Sequence, residues 1–455
     1  MGPEILGRLN FATAFVSFFV LAASLAMPLY GAREIAKARD ERESLDRTFS
    51  ELFCLNLMTS LASFAVFVGL FPFSERIRQD HALFAVTGSA ILFNCFNIEW
   101  LFQGLENYKS IAWRNLLFKS VSLASLFALV HRKEDFLWAA GITVASNAGC
   151  TLLGFLTAGR FATLSWPSPI RLRGHLEPMA ALSSSVLFSS MYVFLDSVLL
   201  GYLSGNTAVG LFTAATRAVR VPIAMLQSLA AVVIPRFSYY LKRGMVEEQR
   251  VMARKSISFI YMTTFPVVGA LLILAPAIVR MISGPGFMEA VPAMRITAPL
   301  VAIMGFSNFL GLQVIFPNGG DRKLMVTSLL AASLDLGLNL ILIPRFGYLG
   351  TAIALVAAEA GSLLTLCAFS RGTGFGRILF NGTTLRYAAA AGISSGIIFL
   401  VSKAPGPAPL IAPAAAAVGA ACYLAFLWLA KDPLTLEILG SLAGKIMRIH
   451  PAKPD

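Results

Sequence analysis

Arg217 and Arg220 stand three residues apart inside an apolar run, and no other pair in the chain is better placed to do chemistry. On a helix, positions i and i+3 share a face. Two guanidiniums on one face present planar donors that match a diphosphate. Charge inside a stretch long enough to cross a bilayer is costly, which makes it a functional candidate. The competing structural reading has both arginines snorkelling to the outer interface, or pairing with Asp196 in the preceding apolar run. Asp196 in turn could hold an arginine in place, take up a coupling proton, or form half of a purely structural salt bridge.

Three smaller constellations follow the same logic. Glu99, Gln103 and Glu106 fall at i, i+4 and i+7, a polar stripe near a cytoplasmic helix end that suits sugar hydroxyls or a gate. A solvated helix end, closed by Lys109, is the plainer explanation. Arg295 lies early in an apolar run near the expected outer face, as a cavity cation or an interfacial anchor. Asp335 and Asn339 share a helix face, and Glu359 lies in the next run. These three could hydrogen-bond sugars, bind a coupling cation, or make a buried interhelical contact. The expected binding set is therefore Arg217, Arg220, Arg295, Glu99, Gln103 and Asn339, with Asp196, Asp335 and Glu359 as acidic coupling or cavity groups. No residue is given a catalytic role.

The elements that must position these residues are apolar segments. The chain of 455 residues is 57% hydrophobic and 13% charged, with mean hydropathy +0.73, whereas a soluble domain carries about 25% charged residues. A bilayer core of about 30 Å needs roughly 20 apolar residues per helix. Thirteen spans fit, near 10–30, 51–72, 82–102, 111–130, 136–159, 179–203, 209–235, 256–283, 290–317, 324–344, 348–369, 384–402 and 408–430. They lack the alternation of barrel strands, so they read as helices. The net charge of +13 is a topology signal: 25 of the 37 Lys and Arg fall in every second gap, which the positive-inside rule keeps cytoplasmic. That distribution argues against a nucleic-acid partner. Residues 31–50 read as an amphipathic interfacial helix. Pro28, Pro222, Pro235, Pro266, Pro276, Pro299 and Pro317 lie in or at the ends of spans, as kinks or as static ends. Cys54, Cys95, Cys150, Cys367 and Cys422 lie in apolar segments without metal spacing, and no His/carboxylate cluster has ligand spacing. No nucleotide or nucleophile motif occurs, so neither a cofactor nor ATP hydrolysis is expected.

The chain repeats itself. Gly2 to Gly7, before an apolar run ending at Pro28, resembles Gly205 to Gly210 before a run ending at Pro235. Trp100 to Lys109 lines up on Val314 to Lys323. The order and the spacing of about 205–215 residues suit a parallel transporter repeat. The expected fold is an all-α polytopic membrane protein of two parallel-repeat helical lobes: an N-lobe over 1–159 and a C-lobe over 179–369. An additional helix pair spans 384–430, and 431–455 forms a cytoplasmic tail. A span precedes the second Gly turn but none precedes the first, so about 13 helices here would become 14 with a further N-terminal helix.

Several stretches carry a resemblance. Met27 to Lys37, Asn97 to Tyr108, Val232 to Tyr240, Asn339 to Ala352 and Glu359 resemble, in order, motifs of bacterial oligosaccharide flippases. Across about residues 2–370 the chain is similar to the Wzx-type polysaccharide flippases of the MATE-like superfamily (multidrug, oligosaccharidyl-lipid and polysaccharide transporters). The resemblance implies a V-shaped, two-lobed transporter around a central cavity in the bacterial inner membrane. Its substrate would be an undecaprenyl-pyrophosphate-linked oligosaccharide, moved by alternating access for O-antigen, capsule or exopolysaccharide synthesis. Membrane lipid, a polysaccharide polymerase and glycosyltransferases would be its partners. In such flippases the first helix lines the cavity, and this chain departs from the pattern there.

Rival expectations stay open. A lipid II flippase obeys the same physics. A MATE-type ion-coupled antiporter for cationic drugs should have a carboxylate-rich cavity, against which the arginine pair argues. A membrane polymerase or glycosyltransferase would need a larger extramembrane loop than the gaps of roughly 20 residues read here.

Overall fold

The computed structural model describes residues 2–24, 27–165, 175, 179, 194–371, 382–404 and 407–437. Regular structure among them is helical, as hydrocarbon demands of a chain whose backbone groups have no water to bond. Among the described residues, ten helices are long and apolar enough to cross a membrane, or eleven if one bent pair counts as a span. The chain divides into two compact units, Met1–Gly210 and Leu211–Asp455.

Unit 1 holds α1 (Pro3–Ser24), α2 (Met27–Ala38), α3 (Arg42–Gly69), α4 (Glu75–Gln79), α5 (His81–Phe93), α6 (Glu99–Gly104), α7 (Tyr108–Leu129), α8 (Phe136–Ala158) and α9 (Phe194–Ser204). The expected interfacial helix over 31–50 is instead two helices. α2 ends at Ala38, and α3 starts at Arg42 after Glu41 adopts an extended backbone. The apolar face of α2 is buried against α3 and α6, where Met27, Tyr30 and Ile35 join Phe49, Leu52 and the fully buried Trp100. Gly31 is required there, because a Cβ would stand 2.9 Å from the Trp100 indole.

The expected span 82–102 is also broken. α5 ends at Phe93, one tight turn covers Asn94–Phe96, and α6 starts at Glu99. The Cys95 carbonyl, and that of Asn94, which also accepts from Asn97 N, each accept from Asn56 Nδ2 at 3.0 Å. A single buried amide on α3 thus supplies donors that the missing helical turn would have given. Of the expected span 179–203, residues 180–193 lie outside the described residues; α9 is its described end.

The first turn of α1 meets the start of the next long helix. A Cβ on Gly7 would stand 1.6 Å from the carbonyl oxygen of Asn206, and one on Gly210 would stand 1.8 Å from that of Pro3. The contact is reciprocal, between the segments that the sequence repeat aligns.

Unit 2 holds most of α10 (Asn206–Lys242), then α11 (Val246–Ile282), α12 (Val291–Thr297), α13 (Leu300–Asn308), α14 (Asp321–Phe346), α15 (Tyr348–Ser370), α16 (Gly382–Ser402) and α17 (Ala408–Leu429). α10 and α11 have 37 residues each, about 55 Å at 1.5 Å per residue. They outrun the hydrocarbon, so their charged ends reach water. The expected span 290–317 bends by 41° between Thr297 and Leu300, where Pro299 sits, and finishes in a π-helical turn, Phe309–Ile315. α14 and α15 form a hairpin turned by one residue, Gly347, at φ 56°. α16 and α17 pack on α11 through Leu274, Ile398, Ala412 and Ala415. Beyond α17, buried Asp432 accepts from the Tyr387 hydroxyl at 2.9 Å and from Thr435 N and Oγ1 at 3.0 Å.

Candidate functional site

In α10, buried Ala214, Ala215, Thr216, Val219 and Ile223 form the packed face. Arg217 and Arg220 point away from it, and both are exposed. Neither makes a hydrogen bond or ion pair among the described residues. The pair is therefore a set of free planar donors on the open side of a membrane-length helix. Asp196, in α9 of unit 1, is buried at 4% exposure.

The α14–α15 hairpin carries the acidic candidates. Gly350 lies against the Leu342 carbonyl, where a Cβ would be 2.4 Å away, and a Cβ on Gly361 would be 3.0 Å from the Leu334 side chain. This register sets Glu359 level with Asp335, and Asn339 one turn along. Asp335 and Asn339 are fully buried and Glu359 is 7% exposed. The register thus sets two carboxyls at one depth of a tight hairpin with an amide one turn away, an arrangement suited to a cation or proton. Thr351 on α15 is buried with no partner for its hydroxyl among the described residues. No group of three His, Cys, Asp or Glu able to hold a metal occurs among the described residues.

Arg295, at the end of α12, is exposed and donates from Nε to the Leu272 carbonyl of α11 at 3.1 Å. It braces the two helices as well as bearing charge. The stripe of Glu99, Gln103 and Glu106 does not form. α6 stops at Gly104, and Glu106 sits in the left-handed region at φ 58°, outside any helix. Glu106 pairs instead with Arg39 at 2.8 Å, which raises the Arg39 guanidinium above its ordinary value. Glu99 is half-buried and faces Asn115 Nδ2 at 3.5 Å, and Gln103 is half-buried on the same short helix.

Arg114 is a residue that sequence reasoning misses. It lies in the basic stretch at the start of the expected span 111–130, yet it is 4% exposed. Its guanidinium lies 4.1 Å from the Phe102 ring centroid and 3.4 Å from Thr157 Oγ1, under Gly154, and its Nε has no partner among the described residues. The signal that could have found it is the cap: Asn107 accepts from Ser110 N and starts α7 at Tyr108, which carries Arg114 two turns into the helix.

The comparisons with known proteins agree on the class. Two proteins named "Putative O-antigen transporter" are related to this chain. One, from Escherichia coli (strain K12), is 24% identical over 364 residues, 79% of this chain and 87% of that protein. The other, from Shigella dysenteriae, is 22% identical over 367 residues, 76% of this chain and 86% of that protein. The solved structure of the lipid II flippase MurJ, in an inward closed conformation, aligns with TM-score 0.71 at 14% identity over 95% of this chain and 98% of its own. An inward-facing multidrug resistance MATE family transporter of the MOP superfamily aligns with TM-score 0.67 at 15% identity, over 83% and 92%. At such identity these structures establish the fold alone. The family model described as polysaccharide biosynthesis protein matches residues 1–241. With more than half of its length matched, and with this fold, the chain belongs to the polysaccharide biosynthesis protein family.

Proposed function

We propose that this chain is a flippase that carries a lipid-linked oligosaccharide unit across the bacterial cytoplasmic membrane by alternating access, with undecaprenyl pyrophosphate as the carrier. The pathway would be O-antigen, capsule or exopolysaccharide synthesis, with glycosyltransferases supplying the substrate and a polymerase consuming it. The observation that carries this reading is the Arg217–Arg220 pair: two exposed guanidiniums, without protein partners among the described residues, on a membrane-length helix. Bare charge against acyl chains is costly, so such a pair belongs beside water or an anion. A diphosphate supplies that anion, while the polyprenyl tail stays in lipid. Half-buried Glu99 and Gln103 and buried Asn339 are the candidate sugar-binding groups, Arg295 a further cation. Asp196, Asp335 and Glu359 are the candidate groups for a coupling proton or cation, since no nucleotide motif supplies energy.

The test is export in cells lacking their own flippase. Arg217→Ala, Arg220→Ala and the double variant should remain in the membrane at normal level and lose export of surface polysaccharide. Full export by the double variant removes the diphosphate clamp. Accumulation of unextended precursor in the null strain would instead indicate a membrane enzyme. The fold likeness to MurJ favours lipid II as the second reading. Rescue of a strain depleted of its lipid II flippase, without rescue of polysaccharide export, would select it.

A further inference from the structure

Three titratable side chains that the transport reading does not use are chained together in unit 1. The Tyr30 hydroxyl of α2 lies 2.7 Å from His175 Nδ1, and His175 Nε2 lies 3.0 Å from Glu51 Oε2 of α3. Tyr30 is 3% exposed and Glu51 6%, and the His175 side chain 16%. Their surroundings are apolar: Met27, Leu52, Trp100 and Met179 share the same core. Glu51 Oε1 is buried with no partner among the described residues. The stretch after α8 is fastened to the same helix nearby. Thr163 N donates to Asp46 Oδ1 at 2.8 Å, Thr163 Oγ1 donates to Asp46 Oδ2 at 2.5 Å, and Ser165 N donates to Ser50 Oγ at 2.9 Å.

We infer that Tyr30, His175 and Glu51 form a proton-binding site. With a neutral imidazole, Nε2–H donates to the Glu51 carboxylate and Nδ1 accepts the Tyr30 proton, so the two distances fit one tautomer. That state carries one net negative charge in an apolar core, with a carboxylate oxygen unserved. Burying such charge is costly. A proton from bulk buffer adds to Nδ1. The Tyr30 oxygen then turns from donor to acceptor, and the His175–Glu51 pair becomes an imidazolium facing a carboxylate. The net charge of the three groups goes from minus one to zero, and the proton belongs to the pair rather than to either residue.

The other charges facing the set are few. From α2, Arg33 lies 5.3 Å from the Tyr30 ring centroid but is engaged by Glu34, which also holds Lys37. From α3, Arg47 is exposed one turn before Glu51, and Asp46 is occupied by Thr163 and Arg42. From α6, Trp100 brings no charge. Arg171 and Arg173, on the same stretch as His175, lie outside the described residues. Proton uptake changes how His175 itself is held to α2 and α3. A histidine is suited to this task, being the side chain whose charge ordinarily changes between pH 5 and 8.

The site is tested on the full chain in lipid nanodiscs, with ring-labelled histidine read by NMR across pH 5–8. There are four histidines, and the signal lost in His175→Gln assigns the one needed. In the wild type that signal should titrate in a single step. Glu51→Gln removes the anion facing the imidazolium and should move the midpoint to lower pH by about one unit, the scale of a neighbouring opposite charge. Tyr30→Phe leaves the Nδ1–H of the imidazolium without its charge-assisted acceptor in an apolar core and should also move the midpoint to lower pH. A lowered midpoint in both variants is what a merely structural contact does not give. A His175 signal that stays flat across this range overturns the inference, as does one with the same midpoint in Tyr30→Phe as in wild type. Should Glu51→Gln fail to fold, wild type and Tyr30→Phe still decide between the two outcomes. None of these measurements requires substrate, so the outcome is independent of the export assay.

Discussion

Gly7→Ala is the sharpest test of how unit 1 is packed. The new methyl carbon would begin 1.6 Å from the Asn206 carbonyl oxygen, whereas real Cβ atoms essentially never come within 3.0 Å of another heavy atom. The obstacle is backbone, so no rotamer change removes it. The first turn of α1 and the Asn206–Gly210 turn must part by about 1.4 Å at that point. Gaps of 0.5–1 Å already forfeit a quarter to a half of a dispersion well, and overpacking of this kind costs about 1–3 kcal/mol. Gly210→Ala meets the Pro3 carbonyl at 1.8 Å and needs nearly the same parting. Each single variant should therefore lose about 2–3 kcal/mol, and the double variant scarcely more than one of them, because one separation relieves both clashes. The assay is denaturant unfolding in mixed micelles. Gly141→Ala serves as control: it lies within α8 with open space at its Cβ, so the better helix propensity of alanine should leave it unchanged or up to about 1 kcal/mol more stable. A Gly7→Ala protein as stable as the control, or additive losses in the double variant, would refute the reciprocal contact.

Three further outcomes are expected. Arg114→Met should change stability by less than about 1.5 kcal/mol, since a buried guanidinium with an unserved Nε gives back its desolvation cost when replaced by an apolar chain; a loss above about 3 kcal/mol in the same assay would show the charge to be well compensated. Asp432→Ala should cost about 2–4 kcal/mol by removing an acceptor shared by Tyr387 and Thr435, seen as a lower melting temperature in detergent. Asp135 is held below the usual carboxylate range by the backbone N–H groups of Arg132 and His131. A depressed folded-state value contributes stability above the unfolded value, near 3.9, and loses it as pH falls through the folded one. Asp135→Asn should therefore lower stability somewhat at neutral pH, flatten the acid limb below about pH 4, and leave the two proteins alike once the carboxyl is protonated, a convergence read by thermal melts across about pH 2–7.

Helix existence is legible in the sequence because a bilayer demands long apolar runs, and no tertiary contact is needed to see them. Interruptions are not. The break at Asn94 depends on Asn56, 38 residues away, offering both its amide hydrogens to the freed carbonyls. Periodicity registers Asn94 as one more tolerable position in a helix. Glu106 is misplaced for a related reason: the stripe assumes an unbroken helix, and a left-handed residue two places beyond Gly104 ends that assumption. The shared face of Arg217 and Arg220 follows from spacing alone. Their lack of partners among the described residues does not, because partnership depends on which neighbouring helices arrive. Asp335 and Glu359 read as neighbours in sequence order; their common depth is set by Gly347, Gly350 and Gly361, which fix the turn and the closeness of the hairpin. The Tyr30–His175–Glu51 chain is invisible to spacing, since its partners are 145 and 124 residues apart.

The two ways in which unit 1 joins its helices differ in what separation costs. Where Asn56 holds the Asn94 and Cys95 carbonyls, parting leaves the Cys95 acceptor and an amide unserved in hydrocarbon, each at several kcal/mol, while Asn94 keeps its bond from Asn97 N. Where Gly7 meets Asn206 and Gly210 meets Pro3, parting exposes a helix surface that lipid tails cover almost as well, because helices in a bilayer lack a hydrophobic force between them. Their attraction is dispersion across a close approach, about half forfeited over an ångström and regained on return. A transporter must break some helix contacts in every cycle and keep others. Backbone-on-backbone glycine contacts are the ones that can be broken without stranding a polar group. The Asn56 tether is therefore the costlier of the two to separate, even though the Gly7–Gly210 crossing is the tighter as a packed object.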